Sequence, residues 1–409
     1  MIDIAIMGHG VVGSGVAEVL LNNADSISKR AADDINVKYI LDLRDFPDSP
    51  LADRFTKDFT VIENDPAVKI VVECMGGLNP AYDFVKRCLL AGKSVVTSNK
   101  ELISVKGQEL LTIAKKNNLN LLFEASVGGG IPIIRPICQC LTANEIYSIT
   151  GILNGTTNFI LTKMVDENMS FDDALKMAQE LGYAERDPSA DVDGIDTCRK
   201  IAILASLSFG KNVDPDLIKT EGIRNITLQD VKYAEKWGGV IKLIGNVIKL
   251  ENGNVVPAVY PAFIPNDSQL SSVNDVFNAI LINGDAIGDV MFYGRGAGKF
   301  PTASAVVGDV IDCAKHLVAR KYLHWNEGEA DYVASSDNDI ARFYVRLKTN
   351  DSNKTVKEIE SKFSNPSYIV NADKGEVAML TENDIEITLK NQIGSLDSCE
   401  VIKTFHVID

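Results

Sequence analysis

An α/β protein with an N-terminal doubly wound parallel sheet is what this sequence predicts, and three observations carry that expectation. The first apolar stretch, residues 2–7 (IDIAIM), runs straight into Gly8-His9-Gly10-Val11-Val12-Gly13 and then into a helical pattern with Val12, Val16, Val19 and Leu20 on one face. Near-continuous apolar runs then alternate with helical stretches as far as residue 125, as in strands buried on both faces of a parallel sheet. Beyond residue 336 the order of stretches becomes β-α-β-β-α-β, which is ferredoxin-like.

The glycine string takes its meaning from its placement. Between a strand and a helix, Gly8 permits the tight turn, Gly10 lets the backbone approach a pyrophosphate, and Gly13 lets helix and strand pack closely. The helix end, with Val11 and Val12 in its first turn, offers free N–H groups and a positive dipole to the phosphates. This is the Rossmann-type arrangement, and it predicts bound NAD or NADP. The next strand, 37–41 (VKYIL), ends at Asp42, with Arg44 two residues on. An acid there grips a ribose 2′-hydroxyl and favours NAD, whereas an arginine holds a 2′-phosphate and favours NADP. Both are present, so the choice stays open. Strands at 69–74, 94–99 and 120–125 and helices at 79–91 and 106–116 continue the alternation. Ligands of such sheets sit beyond the carboxyl ends of the strands, where Gly76, Ser98, Asn99 and Lys100 fall.

Past the sheet, Glu124-Ala-Ser-Val-Gly-Gly-Gly-Ile131 places three consecutive glycines after a strand. A carboxylate with several carbonyls suits a hard cation; a hinge beside a ligand is the other reading. Residues 146–153 read as a strand of a new sheet, 154–158 (NGTTN) as a polar turn, and 159–165 as a helix. Ser170 is a good N-cap for a helix over 171–181 that Gly182 stops. The run 178–200 (AQELGYAERDPSADVDGIDTCRK) then gathers Glu185, Asp187, Asp191, Asp193 and Asp196 before Lys200 leads into the apolar IAILASLSFG. Asp196 and Lys200 are four apart and share a helix face. Grouped carboxylates hold an ammonium, and a desolvated lysine exchanges a proton near neutral pH. A helix running on to residue 246, strands at 246–250 and 255–264, a helix at 266–274 and strands within 278–298 joined at Asn283-Gly284 complete an α+β layer. A homodimer or homotetramer built on its open face is expected; sedimentation showing only monomer at micromolar concentration would remove it. Gly294-Arg-Gly-Ala-Gly298 and the helix from Pro301 return the chain toward the nucleotide fold, with Gly298 touching the cofactor.

Composition narrows the function. At 409 residues the chain exceeds what one core usually serves, so a division into 1–130 (with about 299–330), 131–298 and 338–409 is expected. A net charge of -15 argues against nucleic acid or an anionic membrane as partner, and leaves a small-molecule substrate. No apolar run approaches the ~20 residues of a membrane span, and the start of the chain reads as a strand, not a leader peptide. Seven scattered cysteines read as reduced thiols in a cytoplasm, and four histidines without zinc spacing argue against a structural zinc.

Several of these stretches together resemble homoserine dehydrogenases. GHGVVGSGV, TSNKE, FEASVGGGIP, GILNGTTNFIL, AQELGYAERDPSADVDGIDTCRK and FYGRGAGKFPTASAVVGD are similar to that family's motifs in the same order, over roughly residues 1–330. The resemblance implies NAD(P)-dependent interconversion of L-homoserine and L-aspartate 4-semialdehyde, on the route to threonine, methionine and isoleucine. It implies Lys200 as proton donor, Lys100 near substrate and nicotinamide, and Glu185, Asp191 and Asp196 at the substrate. It also implies a sodium or potassium ion at Glu124, Val127, Gly129 and Ile131. The C-terminal stretch resembles the ACT domains that bind amino-acid effectors, but its first loop, 350–355 (NDSNKT), departs from their Pro-Gly-Val turn. Feedback inhibition by threonine is therefore not implied, and a role in assembly is. A nucleotide-sensing regulator would need a basic DNA-binding element that this sequence lacks. An aspartate-semialdehyde dehydrogenase would need an activated cysteine, and Cys198 lies among acids, where a thiolate is disfavoured.

Overall fold

The structure, a computed structural model, describes residues 1–319, 323–369 and 372–408. The chain forms two compact units. The first comprises Met1–Tyr147, Ala202–Leu217 and Ile280–Ala330, and the second Ser148–Ile201, Ile218–Ala279 and Asp331–Asp409.

In the first unit, strands β1 (Ile2–Met7), β2 (Ile35–Leu41), β3 (Phe55–Thr56), β4 (Val68–Glu73), β5 (Ser94–Thr97) and β6 (Leu121–Leu122) form one sheet in the order β3-β2-β1-β4-β5-β6. All five pairings are parallel. That is the doubly wound order the alternation predicts, with its switch point between β1 and β4. Ile4, Ile6, Val71, Val72, Val95 and Val96 are wholly buried, which explains why these strands read as unbroken apolar runs. Gly15 lets the helix Val11–Asn22 meet the helix Lys299–Lys315, since a Cβ there would lie 3.1 Å from that of Ala303. The return helix therefore packs beside the helix that follows the glycine turn. Arg320, Lys321 and Tyr322 of the return segment lie outside the described residues.

The second unit is built on an antiparallel core. Strands β7 (Ile146–Ile152), β8 (Lys219–Thr220), β9 (Gly239–Lys249) and β10 (Val255–Pro265) form it, and next in the chain comes the hairpin of β11 (Phe277–Gly284) and β12 (Gly288–Arg295), which from Ile280 onward belongs to the first unit. β9 pairs with both β7 and β10. Here the structure corrects the sequence. The helix expected to run to residue 246 stops at Trp237, where Gly238 takes φ 94°, and Val240 onward is strand. Gly238-Gly239 is the break, and the β-branched residues after it favour a pleated surface. The helix expected at 266–274 is only a 3₁₀ turn, Gln269–Ser272. The hairpin turns at 285–287, beyond Asn283-Gly284.

Residues 340–408 add β13 (Ile340–Ala341), β14 (Phe343–Lys348), β15 (Ser367–Tyr368), β16 (Glu376–Leu380), β17 (Asp384–Ile385) and β18 (Glu400–Val407). With the helices Ser352–Lys362 and Glu386–Gly394, strands β14, β15, β16 and β18 run β-α-β-β-α-β and lie in the sheet order β18-β14-β16-β15, while β13 and β17 pair as a separate two-stranded sheet. The first helix starts at Ser352, capped by the Asp351 side chain, so the polar residues of 350–355 are a helix start. Val370 and Asn371 of the expected strand SYIVNA lie outside the described residues. β18 also pairs in parallel with β10, making this sheet continuous with that of the unit's core.

Candidate active site

At the glycine turn each glycine has its own physical reason. Gly8 sits at φ +94°, and a Cβ there would lie 2.9 Å from the Cys74 carbonyl oxygen. A Cβ on Gly13 would lie 1.9 Å from the Gly8 carbonyl oxygen. Gly10 differs: nothing lies within 4 Å of its Cβ position, so the backbone there is open to an incoming group. Gly10 caps the helix Val11–Asn22 with no side chain of its own, Val11 is exposed and Val12 is half-buried. This open backbone at a helix start fits a pyrophosphate.

Asp42, at the end of β2, accepts from His9 N at 2.8 Å, from Arg44 N and Nε at 3.0 Å each, and from Arg44 Nη2 at 2.9 Å. The Arg44 guanidinium holds this carboxyl far below the usual carboxylate range. Arg44 itself lies over the Phe46 ring, 5.2 Å from its centroid, and is largely exposed.

Glu73, which no local sequence signal marks, organises the next edge. Its buried carboxylate accepts from Met75 N at 2.7 Å, Gly76 N at 3.2 Å and Thr97 Oγ1 at 2.5 Å, pinning the turn after β4 to β5. Burial pushes its carboxyl up. Asn99 caps the helix Lys100–Lys116 at Leu102 N and donates to the Gly77 carbonyl at 2.6 Å. The helix begins six residues earlier than the expected 106, so Lys100 is its first residue, half-buried beside Ser98 at the carboxyl end of β5. Gly298, at φ +117°, caps the return helix.

In the stretch after β6, the Glu124 carboxylate is fully engaged. It accepts from Ile133 N at 2.6 Å, Ile134 N at 2.7 Å and Arg135 N at 2.9 Å, and the Glu124 N–H donates to the buried Asp309. Arg135 pairs with Asp309, and burial still pushes that carboxyl up to about 7. Its oxygens thus hold the backbone N–H groups of residues 133–135, and its main-chain carbonyl is left beside the glycine loop. The loop itself is tight, since a Cβ on Gly128 would lie 2.4 Å from the Ile131 carbonyl oxygen and Gly129 takes φ +57°. Val127 and Ile131 are buried at its two ends. Among the described residues, no group of three or more His, Cys, Asp and Glu side chains is placed to hold a metal ion.

The second unit carries the acid–lysine constellation. Lys200, in the helix Ile195–Phe209, is 7% exposed. Its Nζ donates to the Leu153 carbonyl at 2.7 Å and lies 2.7 Å from Asp196 Oδ2, one turn back on the same helix. Asp196 is buried too, so this is a desolvated pair, unlike the exposed surface bridges that contribute little. Asn154 Nδ2 donates to Asp196 Oδ2 at 2.9 Å and to Asp191 Oδ1 at 2.7 Å. The other acids of the run are used elsewhere. Asp187 caps the turn at Ser189, Asp193 pairs with Arg224, and Glu185 is exposed, its carbonyl accepting from Gln179 Nε2 at 3.1 Å.

The NGTTN segment, expected as a turn before a helix at 159, is itself the start of the helix Gly155–Asp166, with Asn154 as N-cap. Asn before a helical run is a capping signal the sequence offered. That helix is anchored from below. Asn158 Nδ2 donates to the carbonyls of Val273, Asp275 and Phe277, and the buried Lys242 donates to Asn158 Oδ1 at 3.1 Å and to the Val273 carbonyl at 2.6 Å. Burial lowers the Lys242 amine to about 8.

Two family models match this chain: "Homoserine dehydrogenase, NAD binding domain" over residues 8–124 and "Homoserine dehydrogenase" over residues 132–311. A homoserine dehydrogenase of Lactococcus lactis is 40% identical over 362 residues, covering 86% of this chain and 83% of that protein. The chain belongs to the homoserine dehydrogenase family. A solved homoserine dehydrogenase from Thiobacillus denitrificans superposes with a TM-score of 0.89 at 34% identity, over 100% of this chain and 98% of that one. A hyperthermophilic archaeal homoserine dehydrogenase in complex with NADPH gives a TM-score of 0.67 at 30% identity, over 79% and 99%. As a member of the homoserine dehydrogenase family the chain is an NAD(P)-dependent oxidoreductase. Among the described residues no helix is long and apolar enough to cross a membrane.

Proposed function

We propose that this chain interconverts L-homoserine and L-aspartate 4-semialdehyde with Lys200 as the proton-transferring group. The observation that carries the reading is the buried Lys200 ammonium, fixed by Leu153 and Asp196 and bordered through Asn154 by Asp191. A bound nicotinamide supplies or takes the hydride at the substrate carbon. In the reducing direction negative charge builds on the aldehyde oxygen, and the Lys200 ammonium stabilises it and hands over one proton. In the oxidising direction the neutral amine takes that proton from the hydroxyl. Asp191 and Asp196 have the charge to hold the substrate's ammonium, Glu185 supplies a further carboxylate from its loop, and Lys100 supplies positive charge near the nicotinamide. Homoserine-dependent reduction of NAD or NADP, followed by absorbance, tests the reading; its absence with both cofactors overturns it.

NADP is the better fit to the adenosine end. Asp42 already receives four hydrogen bonds, three from Arg44, so its oxygens are committed before any ribose arrives. The exposed Arg44 guanidinium keeps donors for a 2′-phosphate. Arg44→Ala is expected to lower kcat/KM for NADP by roughly tenfold or more, the worth of a charge-assisted hydrogen bond, and to spare NAD. Equal losses for both cofactors would sink this preference.

A sodium or potassium ion fits the 124–131 loop through the main-chain carbonyls of Glu124, Val127, Gly129 and Ile131, given the loop's tightness and the engaged Glu124 carboxylate. Exchange into tetramethylammonium buffer is expected to lower the rate, and added sodium or potassium to restore it. A rate unchanged by the exchange would remove the ion. Residues 338–409 act as an ACT-like domain serving assembly, supported by their strand order and by the helix start at Ser352 in place of the effector-contacting turn. A homodimer or homotetramer in the cytoplasm, in threonine, methionine and isoleucine biosynthesis, completes the reading.

A further inference from the structure

Asn154 is 5% exposed and uses both ends of its amide. Oδ1 accepts from Thr157 N at 2.8 Å and so caps the helix Gly155–Asp166. Nδ2 has two hydrogens, and they go to two carboxylates, Asp191 at 2.7 Å and Asp196 at 2.9 Å. The Asp196 oxygen it reaches, Oδ2, is the one paired with Lys200 Nζ. The residue just before it, Leu153, supplies the carbonyl that accepts from the same ammonium. Two adjacent chain positions, 153 and 154, thus set the geometry around the lysine.

We infer that Asn154 is a positioning residue for the proton-transfer step: its amide bridges Asp191 and Asp196 and moderates the hold of Asp196 on the Lys200 proton. The inference rests on the assignment of Lys200 above and deepens it. Two neighbouring carboxylates repel, and a neutral double donor between them fixes their separation without adding charge. By donating to Oδ2, the amide also draws electron density from the oxygen that faces the ammonium. Without it, Asp196 holds the lysine proton more tightly, and the lysine is a poorer acid in reduction and is neutral only at higher pH in oxidation. The amide sits where it does because its helix is clamped one turn down, through Asn158, to the carbonyls of residues 273, 275 and 277. Ionisable groups it faces among the described residues include Asp191 on the Ser189–Val192 turn and Asp196 and Lys200 on the helix Ile195–Phe209.

Two variants separate this role from simple capping. Serine caps helices as well as asparagine, but it is too short to span two carboxylates. Asn154→Ser is expected to lower kcat for homoserine oxidation roughly ten- to a hundredfold, the worth of hydrogen bonds to charged groups, with the KM for cofactor unchanged. The acidic limb of its pH–kcat profile should move to higher pH by about one unit. Asn154→Asp keeps a capping oxygen and replaces the donor with a third carboxylate, and its limb should move further in the same direction. A limb at the wild-type pH in both variants, or a serine variant with wild-type kcat, overturns the inference. Should the serine variant not fold, the limb of the aspartate variant decides alone. Wild-type protein that leaves homoserine unoxidised defeats the proposed function itself, so the two failures are distinguishable.

Discussion

Lys200→Ala is expected to cut the turnover of homoserine by about 10²- to 10⁴-fold, the usual contribution of a positioned acid–base group, while cofactor still binds. Stability complicates the experiment, and the structure says how. Lys200 and Asp196 form a buried pair, and removing one partner leaves a desolvated charge, at a cost of about 3–5 kcal/mol. That is a large part of the ~5–15 kcal/mol by which domains are stable. Asn154 still donates to Asp196 in the variant, which offsets part of the loss. The double variant Lys200→Ala, Asp196→Asn removes the orphaned charge and serves as the control for folding. A thermal melt of each variant beside its kcat separates unfolding from lost chemistry. A well-folded alanine variant with near-normal kcat would take the proton-donor role from Lys200 and give it to Lys100.

Much of this was legible in the sequence because local rules and tertiary structure agreed. The strand–glycine–helix unit at residues 2–22 was readable since each glycine answers a local steric need that any such turn has. The spacing of Asp196 and Lys200 was readable because a helix puts residues four apart on one face, and the apolar IAILASLSFG told that this face is buried. What was hidden depended on distant partners. Glu73 sits at the end of an apolar strand, and nothing nearby in the sequence shows that Thr97 and two backbone N–H groups await it. The Glu124 side chain has its backbone partners at 133–135, beyond three glycines, and nothing beside it in the sequence marks them. VIKLIGN fits either period over so short a stretch, and the ladder with β10 decides for strand from Gly239. Of the five acids in the run 185–196, spacing alone could not say that only Asp191 and Asp196 turn toward Asn154.

Gly10→Val should severely weaken cofactor binding while leaving the fold intact, and it is the sharpest test of the phosphate turn. Position 10 has φ -79° and ψ -154°, a negative-φ backbone bordering the extended region, and no atom lies within 4 Å of where its Cβ would stand. The free protein therefore accommodates valine, and the melt should match wild type. A dinucleotide does not, because its pyrophosphate needs that space to reach the helix N–H groups. Titration of NADPH fluorescence is expected to show at least about a hundredfold weaker binding, the loss of roughly 2.7 kcal/mol of phosphate contacts. Gly13→Ala gives the contrasting result. Its methyl would stand 1.9 Å from the Gly8 carbonyl oxygen, so the backbone must shift, and overpacking of that kind costs about 1–3 kcal/mol. Its melting temperature should fall, with cofactor affinity falling as a consequence of the distorted turn. If Gly10→Val binds NADPH as tightly as wild type, the phosphates lie elsewhere on the molecule and the assignment of the turn is wrong.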